Sequence, residues 1–267
     1  MYRALQYAAP ETVDDCAALF FSKKRSRFVA GNLFLRMSSI TIPLAVDLSR
    51  CGLSYIRTDE AGNIHIGAMT TLREIESSVL LQNYADGILS RSAGEIIGVQ
   101  FRNSATIGAS VYSKYGFSDV ITPLLACNAS IHLYNQGTLT LQSYLSQERQ
   151  CDLLTEVILP RADIRGRYRD FRNASSDFSI LNIACAKADG RYTIAVGARP
   201  GCARTAERAM ELLNNGETDA AKVAKAAAET LSFGSNIRAS ADYRRALCQQ
   251  LLTDMIPELT GGTICVM

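Results

Sequence analysis

Apolar and polar positions change period several times along this chain of 267 residues. After Pro10, the run ETVDDCAALFFSK puts acids in a first turn and apolar residues at helical spacing, which predicts a helix. Arg27-Phe28-Val29-Ala30 and Pro43 to Leu48 read as short strands, with LFLRM between them as a short helical turn. Gly31-Asn32 ends the first strand as a tight turn, because Asn tolerates the left-handed region almost as Gly does. From Leu53 the pattern alternates, and Glu60-Ala61-Gly62-Asn63 before Ile64-His65-Ile66-Gly67-Ala68 predicts a hairpin. Thr71 followed three positions later by Glu74 has the form of a helix cap. Gly87 to Gly98 carries Ile88, Leu89, Ala93, Ile96 and Ile97 on an amphipathic helix.

The second half is patterned differently. A hairpin is predicted around Asn135-Gln136-Gly137, and Leu153 to Pro160 reads as a strand. RADIRGRYRDFRN is charged and poor in apolar residues, so it reads by default as a solvated connector, with a strand plausible at Tyr168 to Phe171. A hairpin around Ala188-Asp189-Gly190-Arg191 follows, and then Ala/Glu/Leu-rich helices, the last opening near Ser240. Strands and helices are segregated rather than strictly alternating, so the fold class is α+β. The expected division is 1–52, 53–162 and 163–267.

Composition narrows the functions. At 48% hydrophobic residues and a net charge of +2, the chain reads as an ordinary globular protein, with no basic field for nucleic acid. The apolar runs fall far short of the roughly 20 residues needed to span a bilayer. The N-terminus has no apolar signal core. Eight cysteines are scattered without a C-x-x-C pair, as expected of reduced, mostly buried thiols in a cytoplasmic protein. The two histidines, His65 and His132, sit in alternating runs, so no metal site is expected. No strand–GxGxxG–helix unit and no P-loop are present.

The stretch Val99 to Leu125 carries the most chemistry. Thr106-Ile107-Gly108-Ala109-Ser110 is a small-residue turn expected to leave backbone N–H groups uncovered. Gly108 permits close approach of a ligand, and Thr106 and Ser110 add hydroxyls. Successive free N–H groups form a concavity that suits phosphate.

Several segments combine in order: Ala30-Gly31-Asn32 after a strand, IHIGAMTTLREI, RNSATIG, SDVITPLL, LTEVILP, Arg172 with Ser176-Asp177-Phe178, and RASADYRR. This series resembles the FAD-binding medium subunit of the molybdenum hydroxylases, the xanthine dehydrogenase and carbon monoxide dehydrogenase family, over nearly the whole chain. The resemblance implies an FAD fold of the vanillyl-alcohol-oxidase (PCMH) type, with two N-terminal α+β subdomains and a C-terminal α+β domain. It implies that Ala30, Gly31, Asn32 and Leu33, together with Thr106, Ile107, Gly108, Ala109 and Ser110, hold the FAD pyrophosphate through backbone N–H groups. Asp119 would then meet the ribose or a loop amide, Leu154 would flank the ring system, and Arg169 would lie by the flavin. The implied partners are an iron–sulfur subunit and a molybdenum-cofactor subunit, with NAD or another acceptor taking the electrons. No side chain of this chain is implied to be catalytic.

The chain departs from the family pattern in both loops. The first family loop usually reads Ala-Gly-Gly-Thr or Ala-Gly-Gly-Ser, where this chain has Asn32 and Leu33. The second usually reads Thr-Ile-Gly-Gly-Asn, where this chain has Ala109 and Ser110. A lost hydrogen bond to a charged group costs about ten- to a hundredfold in affinity. The alternative expectation is therefore a bridging structural subunit with a degenerate flavin site.

Overall fold

The computed structural model describes residues 1–148 and 150–260; Cys265 lies outside them. The first helix, Val13–Ser22, is capped by Thr12, whose side chain accepts from the Asp15 N–H. Two acids, Asp14 and Asp15, complement the positive end of the helix dipole. Its buried face, Cys16 and Ala17, packs over a three-stranded parallel sheet ordered Tyr7–Ala8, Ala45–Asp47, Arg27–Val29. A two-stranded parallel pair, Arg3–Ala4 with Thr41–Ile42, completes this N-terminal unit.

The next unit is built on a five-stranded antiparallel sheet. Its order is Ile56–Thr58, Ile64–Gly67, Leu154–Leu159, Ser130–Leu133, Gly137–Thr140. The predicted hairpins at 60–63 and 135–137 join its outer pairs. Between them run the helices Leu72–Ser77, Val79–Asn83, Ile88–Gly94, Val99–Arg102, Ile107–Tyr112 and Ile121–Ala126. The Thr71–Glu74 capping box forms in both directions. The largest core lies under these helices: Ile66, Leu72, Ile75, Leu89, Ile107, Ile121, Leu124, Ile131 and Val157 are all buried in it.

The C-terminal unit is a four-stranded antiparallel sheet, Ile164–Phe171, Leu181–Ala188, Arg191–Gly197, Arg204–Thr205. Helices Glu207–Asn214, Ala220–Thr230 and Ala241–Thr260 pack against it around Ile183, Ile194, Ala227, Leu252 and Met255. The connector expected over RADIRGRYRDFRN is in fact this sheet's first strand, paired over its full length from Ile164 to Phe171. Ile164, Gly166 and Tyr168 face inward. The intervening arginines reach acids on other elements: Arg167 meets Asp86 at 2.5 Å and Glu258 at 3.3 Å, and Arg169 also meets Glu258. Aliphatic arginine stems cover apolar surface while their heads stay wet, which is how so charged a segment forms a strand.

Candidate functional site

A cavity of about 540 Å3 lies where the three units meet. One wall is the turn after strand Arg27–Val29. Gly31 and Asn32 both take left-handed backbone there, at φ 61° and 62°. A Cβ on Gly31 would overlap the Ser104 carbonyl oxygen, so the turn needs glycine to seat against the segment leading into Thr106. The Asn32 amide donates to the Tyr2 hydroxyl at 2.7 Å. Its Oδ1 is buried without a partner among the described residues. The N–H groups of Gly31, Leu33 and Phe34 also have no acceptor among the described residues.

The facing wall is not the open turn that its small residues suggest. Thr106 caps the helix Ile107–Tyr112. The Ile107 N–H donates to the Thr70 carbonyl at 3.0 Å, Gly108 to Ala68 at 2.9 Å, and Ser110 to Thr106 at 3.1 Å. Ala109 has only a long bond, 3.4 Å, to Thr106 Oγ1. Most of the N–H groups assigned to phosphate by the sequence are therefore satisfied within the protein. The role of Gly108 changes accordingly. A Cβ there would come within 2.6 Å of both Ala68 Cβ and Ala68 O, so the glycine lets helix and strand end close together.

Asp119 closes the third side, 4% exposed and held by three hydrogen-bond donors and one ion-pair contact. Tyr168 Oη donates at 3.0 Å, Ser179 Oγ at 2.6 Å and Asn182 Nδ2 at 2.8 Å, while Arg172 Nη2 stands 3.5 Å away. Burial opposes the charge on Arg172, but Asp119 and Asp170 outweigh it and raise the pKa of the guanidinium. Burial, then Asp119, pushes the Tyr168 hydroxyl well above its ordinary value, so it stays a donor. These contacts make Asp119 the joint between the second and third units; its Oδ1 takes all three hydrogen bonds, while Oδ2 has only the Arg172 contact among the described residues. Asp152, also at the wall, caps the N–H groups of Asn135, Gln136 and Leu153. Asp119 and Asp152 are thus both held by hydrogen bonds within the protein.

Of the residues singled out from sequence, Ala30, Gly31, Asn32, Leu33, Thr106, Gly108, Ala109, Ser110, Asp119 and Leu154 line the one cavity. Ile107 does not: its side chain is wholly buried in the core. Arg169 does not either, because the strand directs it to Glu258 on the last helix. Sequence reasoning missed Arg27, an exposed cation at the wall beside the first turn. It also left out Phe34 and Phe117, which join Tyr115 and Phe178 in one aromatic group. Phe34 stands 5.1 Å from Tyr115 and 5.6 Å from Phe117, and Phe117 stands 4.3 Å from Phe178, centroid to centroid. Phe34 follows Leu33 and Phe117 stands two before Asp119, and that adjacency was the available signal.

Such a cavity has the size of a cofactor site. Unpaired backbone donors, a left-handed turn and aromatic faces line it together, a set that fits a dinucleotide carrying a flat ring. The fold and the site define an FAD-binding subunit. The model of the FAD binding domain in molybdopterin dehydrogenase matches residues 3–162, and that of the CO dehydrogenase flavoprotein C-terminal domain matches 166–259. The chain belongs to this molybdopterin dehydrogenase FAD-binding family, and its cofactor is FAD. It is 26% identical to the nicotine 6-hydroxylase medium subunit of Paenarthrobacter nicotinovorans, covering 97% of this chain and 99% of that one. In fold it matches the structure of quinoline 2-oxidoreductase from Pseudomonas putida 86, with a TM-score of 0.86, 19% identity and 98% of each chain covered. Carbon monoxide dehydrogenase from Hydrogenophaga pseudoflava matches at a TM-score of 0.83 and 22% identity, over 95% of this chain and 96% of that one. Among the described residues, no helix is long and apolar enough to cross a membrane, and no group of three potential ligands could hold a metal ion.

Proposed function

We propose that this chain is the electron-transfer subunit of a molybdenum hydroxylase-type dehydrogenase, cytoplasmic and active only with its partners. A molybdenum-cofactor subunit oxidises the substrate, an iron–sulfur subunit relays the electrons, and the FAD held here passes them to NAD or another acceptor. FAD, when bound, supplies the redox chemistry; the protein positions it and tunes its surroundings. The observation that carries this reading is a single cavity bounded by Ala30 to Leu33, by Thr106 to Ser110, and by the segment Arg172 to Phe178.

The residues take the following parts. Gly31, Leu33 and Phe34 offer their N–H groups to the diphosphate, and Arg27 adds charge beside them. Thr106 to Ser110 form a close-packed wall. Leu154 and the aromatics Phe34, Phe117 and Phe178 flank the ring. The units 1–52, 53–162 and 163–267 divide this work: the first cradles, the second walls and the third covers.

A second reading, a bridging subunit with a weak flavin site, is favoured by one observation: Ile107 and Gly108 already spend their N–H groups on Thr70 and Ala68. The absorbance spectrum of the freshly purified protein separates the two. A yellow protein releasing FAD on heating, and co-purifying with iron–sulfur and molybdenum subunits, supports electron transfer. A colourless protein that takes up no added FAD but still binds the other subunits supports the bridge.

A further inference from the structure

A recess of about 190 Å3 shares Phe117 and Phe178 with the flavin cavity and is lined further by Gly116, Asn236, Arg238 and Arg244. Liquid water takes about 30 Å3 per molecule, so this space holds a tetrahedral oxyanion together with some water. Its electrostatics are unusual. Arg244 is only 1% exposed. It donates to the carbonyl oxygens of Ile180, Gly234 and Ala239 at 2.9, 2.7 and 2.8 Å, and to Asn236 Oδ1 at 2.7 Å. No carboxylate pairs with it among the described residues. Arg199, next to Pro200 at the same recess, is 6% exposed and bonded only to oxygens of Cys202 and Ser232.

Burying a cation without a counter-ion is costly. Asp177 is engaged by Nε and Nη2 of Arg238 at 3.0 and 2.9 Å. Donors are left over. A guanidinium carries five N–H groups, and four of those on Arg244 are used. Nη1 of Arg238 and Nδ2 of Asn236 have no acceptor among the described residues. Burial, and then the charge on Arg238, lowers the Arg244 pKa, as follows where positive groups crowd without an anion.

We propose that this recess binds a phosphate-type oxyanion, which supplies the missing negative charge and accepts the spare N–H groups of Arg238, Arg244 and Asn236. Paired guanidinium forks are matched in shape and charge to phosphate oxygens. The phosphate is either the free ion or part of a nucleotide lying across the Phe117–Phe178 wall. The recess shares the Phe117–Phe178 wall with the flavin cavity, but Arg238, Arg244 and Asn236 do not line that cavity.

Calorimetric titration of the purified protein, with its partner subunits where they co-purify, tests this with inorganic phosphate and with ADP-ribose at low ionic strength. Flavin content is measured on the same samples. Arg238→Gln is expected to weaken binding by about ten- to a hundredfold, and Arg238→Lys to retain part of it. Asp177→Asn, which releases Arg238, is expected to tighten binding, a gain that a purely structural role for Arg238 does not produce. Saturable binding of phosphate but not ADP-ribose identifies the free ion as ligand; tighter binding of ADP-ribose identifies a nucleotide. No saturable binding of either probe, or equal affinity in the wild type and all three variants, overturns the proposal. Flavin-free protein that still binds phosphate counts against electron transfer and leaves the recess standing.

Discussion

Gly31 seats directly against the main-chain carbonyl of Ser104, and the space between them has no room for a Cβ. Two loops more than seventy residues apart in sequence are thereby fixed as one wall. Gly31→Ala faces both this overlap and the strain of left-handed backbone. Strain of this kind costs about 1–3 kcal/mol. The expected outcome is a lower melting temperature and a sharp fall in bound FAD per protein, read from absorbance after heat release. Unchanged flavin content would show that the contact does not shape the cavity.

Gly108→Ala tests the packing role. A methyl group there meets Ala68 within 2.6 Å. Overpacking of a tight site costs about 1–3 kcal/mol. A lower denaturant midpoint is expected even in protein stripped of flavin. If only FAD affinity falls and apo stability holds, Gly108 serves the ligand after all.

Leu33→Thr restores a hydroxyl beside the unpaired N–H groups of the first turn. One hydrogen bond to a charged group is worth about 1.5–3 kcal/mol, so FAD should bind at least about tenfold more tightly. Quenching of flavin fluorescence on titration measures this. No gain would place the diphosphate away from residue 33.

Asp119→Asn removes the charge shared by Arg172, Tyr168, Ser179 and Asn182. Breaking a buried ion pair by removing one partner costs about 3–5 kcal/mol. Chemical denaturation should lose that much stability, and the joint between the second and third units should become sensitive to protease. A loss under about 1 kcal/mol would mean the neutral hydrogen bonds alone hold the joint.

His65 bridges Asp59 at 3.0 Å and Glu156 at 3.1 Å. Burial works against its charge, but the two carboxylates raise its pKa above 6.5 overall. Its stabilising effect is therefore complete below pH 6.5 and is lost as pH rises through the folded-state value. Hydrogen bonds from Asn63, then from His65, lower Asp59 from 3.8 to about 2, so its share is present above pH 3.8 and lost as pH falls toward 2. His65→Gln should lower the melting temperature most between about pH 4 and 6.5, with the difference shrinking by pH 8.5. A difference independent of pH would show that the ring matters only by packing.

Local chemistry was legible in the sequence. The Thr71–Glu74 box, the turns at 60–63 and 135–137 and the first helix each rest on neighbours within a few positions. The first turn was also legible, because left-handed backbone at Gly31-Asn32 is a local preference. The state of the second loop was not. Whether the Ile107 and Gly108 N–H groups are free depends on Thr70 and Ala68, brought there by a separate strand end. The strand Ile164–Phe171 was obscured because its outward arginines hide a period of two, and Arg169 was misplaced with it. The partners of Asp119 lie 49, 60 and 63 residues further on, beyond any local signal.

That last separation bears on biogenesis. Synthesis runs from the N-terminus, so Ala30 to Leu33 and Thr106 to Ser110 leave the ribosome well before Tyr168, Ser179 and Asn182. Until those three arrive, Asp119 lacks the hydrogen-bond donors that hold it in the finished protein. The joint at Asp119 can therefore close only after the third unit has been made.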